Sequence, residues 1–256
     1  MMLAFSSLSD AHFHLVYSAP LKQFSLPYYA VTCAHDRDEF ESQKRLVSAY
    51  NSRKDCTILS SFGMHPQMPL IGNADLMEDL LREREIQAIG EAGFDLFTKE
   101  LKADIARQEQ AWRIQTSLAA QYKVPLVVHC RKGIDRIFRD SRILCKLPSV
   151  IFHSFPGSPA DARSLLRHGI NAYFSFGKPV LQGDKSAVSC IREFGTERIL
   201  METDAPYQTL KGEISTGADE IVRVYETAFL LQREQKSAEA FSSQILTNFK
   251  SAYGIA

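Results

Sequence analysis

The chain has 256 residues, 45% of them hydrophobic and 23% charged, and thirty basic residues balance thirty acidic ones. That is an ordinary globular composition, and no apolar run approaches the roughly 18 residues that a membrane-spanning helix needs. Neutrality argues against an extended nonspecific nucleic-acid surface, which would leave the chain clearly basic, while allowing a local basic patch beside a pocket.

The N-terminal stretch MMLAFSSLSD has neither a basic leader nor a long apolar segment, so no signal peptide is expected. The five cysteines, Cys33, Cys56, Cys130, Cys145 and Cys190, are odd in number, widely spaced and free of any CxxC pair. They fit a reduced, cytoplasmic protein with free thiols and make a structural zinc held by thiolates a poor reading.

In chain order, strand-like runs fall at 5–14, YYAVTCA at 28–34, CTILSSFG at 56–63 and IQAIGE at 86–91. Four more follow: PLVVHCR at 125–131, SVIFHSF at 149–155, NAYFSFG at 171–177 and RILMETD at 198–204. Several are almost continuously apolar, as strands buried on both faces should be. Between them, helical spacing marks 36–50, 73–85, 102–122, 161–168 and 186–194, and two further patterns, 217–233 and 237–251, close the chain. In the long central one, Ile105, Ala111, Ile114, Leu118 and Ala119 form the apolar stripe, and Pro125 ends it before the next strand.

Eight strands alternating with helices, with no Gly/Ser-rich linker, predict an α/β fold: one (β/α)8 TIM barrel with C-terminal helices, a single domain over 1–256. An open doubly wound sheet is the rival, disfavoured by the strand count and by the lack of a glycine-rich turn after the first strand.

The conspicuous polar residues fall at the ends of these strands. His12 and His14 end the first, His65 follows the third, Glu91 ends the fourth, His129 and His153 lie near the ends of the fifth and sixth, and Asp204 ends the eighth. In a barrel those ends converge on one face, where active sites are built. Any one of these histidines alone is more often a hydrogen-bonded residue than a ligand. The HxH pair is better placed, because a strand period of two turns both rings inward and Phe13 outward. Glu91 and Asp204 each end an apolar run, where a buried carboxylate needs an arginine, a salt bridge or a metal. Imidazole and carboxylate together suit zinc, manganese, magnesium or cobalt. Six such groups exceed what one catalytic zinc takes from protein, and two divalent ions sharing a carboxylate would use them.

The motifs SDAHFHL (9–15), GMHP (63–66), IGEAGFDL (89–96), RQEQAW (107–112) and VPLVVHCRKG (124–133) are followed by FHSFPGS (152–158), YFSFG (173–177), METDAPY (201–207) and TNFKSAYG (247–254). In this order and spacing the chain resembles the TatD family of metal-dependent hydrolases and deoxyribonucleases, within the amidohydrolase-like barrels, nearly end to end. The resemblance implies that His12, His14, Glu91 and Asp204 hold one ion, and that Glu91, bridging, holds the second with His129 and His153. It implies a water between the ions that attacks phosphorus, with Asp204 orienting it or taking its proton. Asp10 would support the ligands from behind. His65 and Arg131 would meet substrate; Arg131 shares a strand face with His129, and its fork suits a phosphate oxygen. Cys130, between them, should face away. A carbamylated lysine at the end of strand four has no candidate, because Glu91 stands there.

One departure concerns substrate. Where the family usually carries a basic, proline-containing loop after METDAPY, this chain has QTLKGEISTGADEI at 208–221, with one lysine and two glutamates. Ala92 and Phe94 within GEAGFDL also differ from the family's usual residues, without evident consequence. The implied activity is phosphodiester hydrolysis, exonuclease-like trimming of DNA or a nucleotide substrate, with no membrane and no obligate protein partner evident. A small ester, amide or aminoacyl substrate on the same site is the alternative, and a non-catalytic scaffold on a decayed barrel is the third reading. Decay should remove ligands, and none of the six is missing.

Overall fold

The computed structural model describes residues 3–233 and 237–255. Its eight strands are β1 (Leu8–Phe13), β2 (Tyr28–Ala34), β3 (Cys56–Phe62), β4 (Ala88–Asp95), β5 (Leu126–Arg131), β6 (Val150–Phe152), β7 (Ala172–Phe176) and β8 (Ile199–Met201). Each pairs in parallel with the next in one sheet ordered β1 to β8. The seam between first and last strand is closed beyond the ladders: Asp204 N donates to the His12 carbonyl at 2.9 Å and His14 N to the Ala205 carbonyl at 2.7 Å. The sheet is thus a nearly closed (β/α)8 barrel, as the strand count predicts.

Connections after β2 carry the helices α1 (Arg37–Asn51), α2 (Ala74–Arg82), α3 (Lys99–Ala103), α4 (Ile105–Tyr122), α5 (Ile134–Arg139), α6 (Ser141–Leu144), α7 (Pro159–Arg167), α8 (Lys185–Phe194), α9 (Ile221–Leu230) and α10 (Ala238–Tyr253). Several begin on side-chain caps, among them Asp36 for α1 and the Ser158–Asp161 capping box of α7. No described helix is long and apolar enough to cross a membrane.

Two apolar layers result. The barrel interior takes Ala11, Val31, Leu59, Ala88, Val127, Ile151, Tyr173 and Leu200, one residue per strand. Phe249 and Tyr253 of α10 pack beneath this layer, and the Tyr253 hydroxyl donates to the Ala11 carbonyl at 2.6 Å. The larger layer lies between sheet and helices and includes Phe13, Phe94, Trp112 and Cys130. With the N-terminal mouth plugged by α10, the C-terminal mouth is the open one.

The boundaries differ from the periodicity in several places. The fourth strand runs Ala88–Asp95, so Glu91 lies inside it rather than at its end, and the sixth stops at Phe152, so His153 stands just past it. Strand one starts at Leu8 rather than 5, because its ladder begins opposite Tyr28, just after Pro27, which has no N–H to donate; Phe5 instead packs edge-on against Tyr225 and Phe229. The helix expected over 102–122 breaks at Asp104, where the Gln108 side chain takes the Leu101 carbonyl at 2.8 Å. The final strand ends at Met201, so Asp204 stands past it in a left-handed conformation (φ 52°). The 217–233 pattern is α-helical over Ile221–Leu230 only, preceded by a 3-10 turn. Helices α5 and α6, over 134–144, were not expected.

Candidate metal centre

Strand geometry aims the polar groups. Regular alternation from inward Ala11 would turn His12 out, and from inward Ala88 it would turn Glu91 out. Each strand carries a one-residue irregularity at that point: Asp10 and Phe13 pair with Ala30 and Thr32, and Ile89 and Ala92 pair with Leu126 and Val128. Three steps against two insert one extra residue, which shifts the phase. His12, His14 and Glu91 therefore face the barrel axis, while Phe13 and Phe94 join the outer core. Regular alternation suffices elsewhere: Ile151 precedes His153 by two, and Val127 precedes His129 by two, with Cys130 turned outward and its thiol pushed up to about 12 by burial.

Two glycines let the strand ends approach. A Cβ on Gly63 would lie 2.3 Å from the Gly90 carbonyl carbon, and one on Gly93, at φ 140°, would lie 2.0 Å from the His129 carbonyl oxygen. The G of GMHP and the second G of GEAG thus seat Glu91 and His129 beside each other.

Around Glu91 Oε2 and Asp204 Oδ1, the ring nitrogens form a compact cluster. His12 Nε2 and His14 Nε2 are 3.3 Å apart, 3.5 and 3.4 Å from Glu91 Oε2, and each 3.6 Å from Asp204 Oδ1. Charge-assisted hydrogen bonds are shorter, about 2.7–2.9 Å. Four atoms bound tetrahedrally at about 2.1 Å, by contrast, stand about 3.4 Å from one another. Glu91 Oε2 is also buried without a hydrogen-bond partner. These residues fit a divalent ion.

A second group gathers on Glu91 Oε1. His153 Nε2 lies 2.8 Å away, His129 Nδ1 3.4 Å and His65 Nε2 3.5 Å, and His129 Nδ1 is 3.1 Å from His153 Nε2. His65, expected to meet substrate, is thus as near the shared carboxylate as the expected ligands are. His35, which the motifs passed over, puts Nε2 3.2 Å from Glu91 Oε2. It follows YYAVTCA directly, so the strand-end logic applied to the other histidines reaches it. Asp95, also unassigned, is buried and accepts from His129 Nε2 at 3.2 Å, and Gln67 donates to it at 2.8 Å. Arg131 stands apart from the histidines, half-exposed, its guanidinium 3.5 Å from Asp95 and stacked 4.1 Å over the Phe97 ring. Asp10 meets no imidazole: it accepts from Thr203 N at 2.9 Å, Thr203 Oγ1 at 2.6 Å and the Tyr28 hydroxyl at 3.3 Å, and so pins β1 to the segment that carries Asp204.

Burial pushes the Glu91 carboxyl up, but the surrounding His65, His12 and His153 rings outweigh it and hold Glu91 well below the carboxylate range. Burial depresses His153, yet Glu91, Glu202 and Asp204 around it raise it to about 9. His65 goes the other way, to about 4, because burial dominates there. Two ionised carboxylates enclosed by imidazoles draw positive charge, whether protons or cations. Asp204 Oδ2 is held from the far side by Gln208 Nε2 at 3.1 Å. All of this opens onto a cleft of about 720 Å³, lined also by Tyr17, Met68, Arg131 and Tyr207.

The chain is 33% identical over 156 residues to the 3'-5' ssDNA/RNA exonuclease TatD of Pantoea ananatis, an alignment that spans 58% of each protein, less than two thirds of that relative's length. It is 30% identical over 196 residues to the exonuclease of the same name from Cronobacter sakazakii, covering 68% of this chain and 73% of that one. The structure of YJJV, a TatD homologue from Escherichia coli K12, superposes with a TM-score of 0.81 at 21% identity, over 97% of this chain and 98% of the other. The sequence profile described as TatD related DNase matches residues 9–254, from the SDAHFHL motif to the glycine that caps α10, and the chain belongs to that family of metal-dependent hydrolases.

Proposed function

We propose that the whole chain works as one hydrolase domain that cleaves phosphodiester bonds at the ends of single-stranded DNA or RNA with two divalent ions. The observation that carries this reading is that the His12 and His14 ring nitrogens stand 3.4–3.6 Å from both Glu91 and Asp204, in a cleft shared with the phosphate-suited fork of Arg131. Those four would hold one ion, and Glu91, His129 and His153 the second, with His65 beside them. The bound pair would supply an activated water and neutralise charge on the phosphate. Asp204 takes the proton from the attacking water; its Oδ1 faces the histidines, while Gln208 steadies Oδ2. Arg131, braced by Asp95 and Phe97, binds a non-bridging phosphate oxygen. The names of the Pantoea and Cronobacter relatives support the same substrate class. Magnesium, manganese or zinc would each suit the donor set, and five unpaired cysteines fit a reducing, cytoplasmic compartment.

The test is release of nucleotides from single-stranded oligonucleotides with added magnesium or manganese, comparing the wild type with Glu91→Ala. Metal-dependent release that the variant loses by at least a hundredfold is expected. Absence of any such activity across DNA and RNA substrates, or less than one bound ion per chain after reconstitution, would sink the proposal.

A second reading rests on one observation. Arg131 is the single Lys or Arg among the residues lining the cleft, which suits a small ester, amide or aminoacyl substrate better than a long polyanion. Turnover of a small-ester panel that mononucleotides fail to inhibit would favour it.

A further inference from the structure

Among the described residues six large apolar side chains stand exposed: Tyr17, Met68, Phe97, Tyr207, Ile214 and Leu230. Four of them, Tyr17, Met68, Phe97 and Tyr207, sit on the loops after β1, β3, β4 and β8, and so rim the C-terminal mouth of the barrel. Three are aromatic, and they fall on two sides. Tyr207 presents its edge or face to the His14 ring at 5.0 Å, with half its surface free, and Tyr17 lines the same cleft. Phe97 lies on the other side, under the Arg131 guanidinium at 4.1 Å, with Lys132 Nζ 4.7 Å from its ring.

The strand order makes these sides opposite. Tyr17 and Tyr207 belong to β1 and β8, and Phe97 and Arg131 to β4 and β5, half-way round an eight-stranded ring. Glu91 lies between, with one carboxylate oxygen 3.4 Å from His14 and the other 3.4 Å from His129. A phosphodiester held at Glu91 would send one nucleoside toward each aromatic station. Exposed rings gain nothing from solvent, whereas an unstacked base covers them at little cost and without regard to sequence.

We propose that the cleft and its rim hold two base-stacking subsites, Tyr17/Tyr207 on one side of the scissile phosphate and Phe97, beside Arg131, on the other, so that the smallest good substrate is a dinucleotide with both bases unpaired. This rests on the phosphodiesterase reading above and adds to it which residues choose the substrate. Duplex ends are excluded because paired bases cannot splay to both stations. Base identity matters little, because stacking uses the π-face that every base carries.

The experiment compares dinucleotides bearing both bases with dinucleotides carrying an abasic residue at one position or the other, using the metal-loaded enzyme. Each abasic replacement is expected to raise KM about tenfold or more, with kcat within twofold. Tyr207→Ala should raise KM for the intact dinucleotide and remove the penalty for one abasic position, and Phe97→Ala should do so for the other. Both side chains are exposed, so the variants should melt within about 2 °C of wild type. A binding readout independent of turnover is quenching of 2-aminopurine in a non-hydrolysable phosphonate dinucleotide, which should weaken in Tyr207→Ala. Equal KM values for intact and abasic dinucleotides, with normal cleavage, would overturn the stacking subsites alone. No cleavage of any nucleic acid by the wild type would instead overturn the reading beneath them.

Discussion

At the scale of single residues, Gly93 is under the tightest constraint near the site. Its φ of 140° lies where side-chain-bearing residues are strained, and an added Cβ would fall 2.0 Å from the His129 carbonyl oxygen, an atom fixed in the β4–β5 ladder. Gly93→Ala should therefore lose on the order of 3 kcal/mol in urea denaturation, while Gly72→Ala, with nothing within 4 Å, should stay near wild type. Equal stabilities for the two would show that the sheet yields here. The histidines and carboxylates at strand ends could be read without coordinates because strand ends converge in a barrel. Asp95 could not, since its partners His129, Gln67 and Gln108 come from three distant segments. His35 was within reach, standing directly after an apolar run as the others do.

At the scale of elements, α4 does more than cover the sheet. Its buried Gln108 accepts from Asp95 N at 2.9 Å and donates to the Asp95 carbonyl at 3.1 Å, and Gln115 brackets the Met64 N–H and carbonyl at 2.8 and 3.2 Å. Two glutamines about two turns apart on one face of the helix thus hold the ends of β4 and β3 that lead to Asp95 and His65. Gln108→Leu keeps the shape but strands buried backbone groups, and should cost about 3 kcal/mol by chemical denaturation; a loss below about 0.5 kcal/mol would mean water replaces the amide. The motif RQEQAW marked this helix by resemblance, but helical periodicity treats both glutamines as surface positions. The bulges in β1 and β4 were hidden for a related reason: an inserted residue changes the phase of a strand without changing its apolar character. The loop at 208–221 reads differently once folded. Its Glu213 and Glu220 face the fully buried ammonium of Lys178, which donates to Glu213 and lies 3.8 Å from Glu220. These acids neutralise an internal lysine, so the loop's charge says less about substrate than its composition suggests.

At the scale of the whole molecule, the barrel brings together residues from six strands whose only common feature in the sequence is position after an apolar run, and this is why its architecture was the most readable property of the chain. Convergence concentrates buried carboxylates and imidazoles at one mouth, with Glu91 Oε2 and four ring nitrogens lacking hydrogen-bond partners there. A ligand that binds only this folded arrangement must stabilise it by mass action. At a divalent-ion concentration a hundred times the dissociation constant, the gain is about 2.7 kcal/mol, which for a chain of this size raises the melting temperature by roughly 5–10 °C. Calorimetry of chelator-treated protein titrated with manganese or zinc should show that rise in the wild type. In Glu91→Ala, where both clusters lose their common carboxylate, it should vanish. Gly72→Ala should keep it in full. A rise of equal size in Glu91→Ala would place the stabilising ion elsewhere on the surface, and would separate metal binding from the histidine cluster altogether.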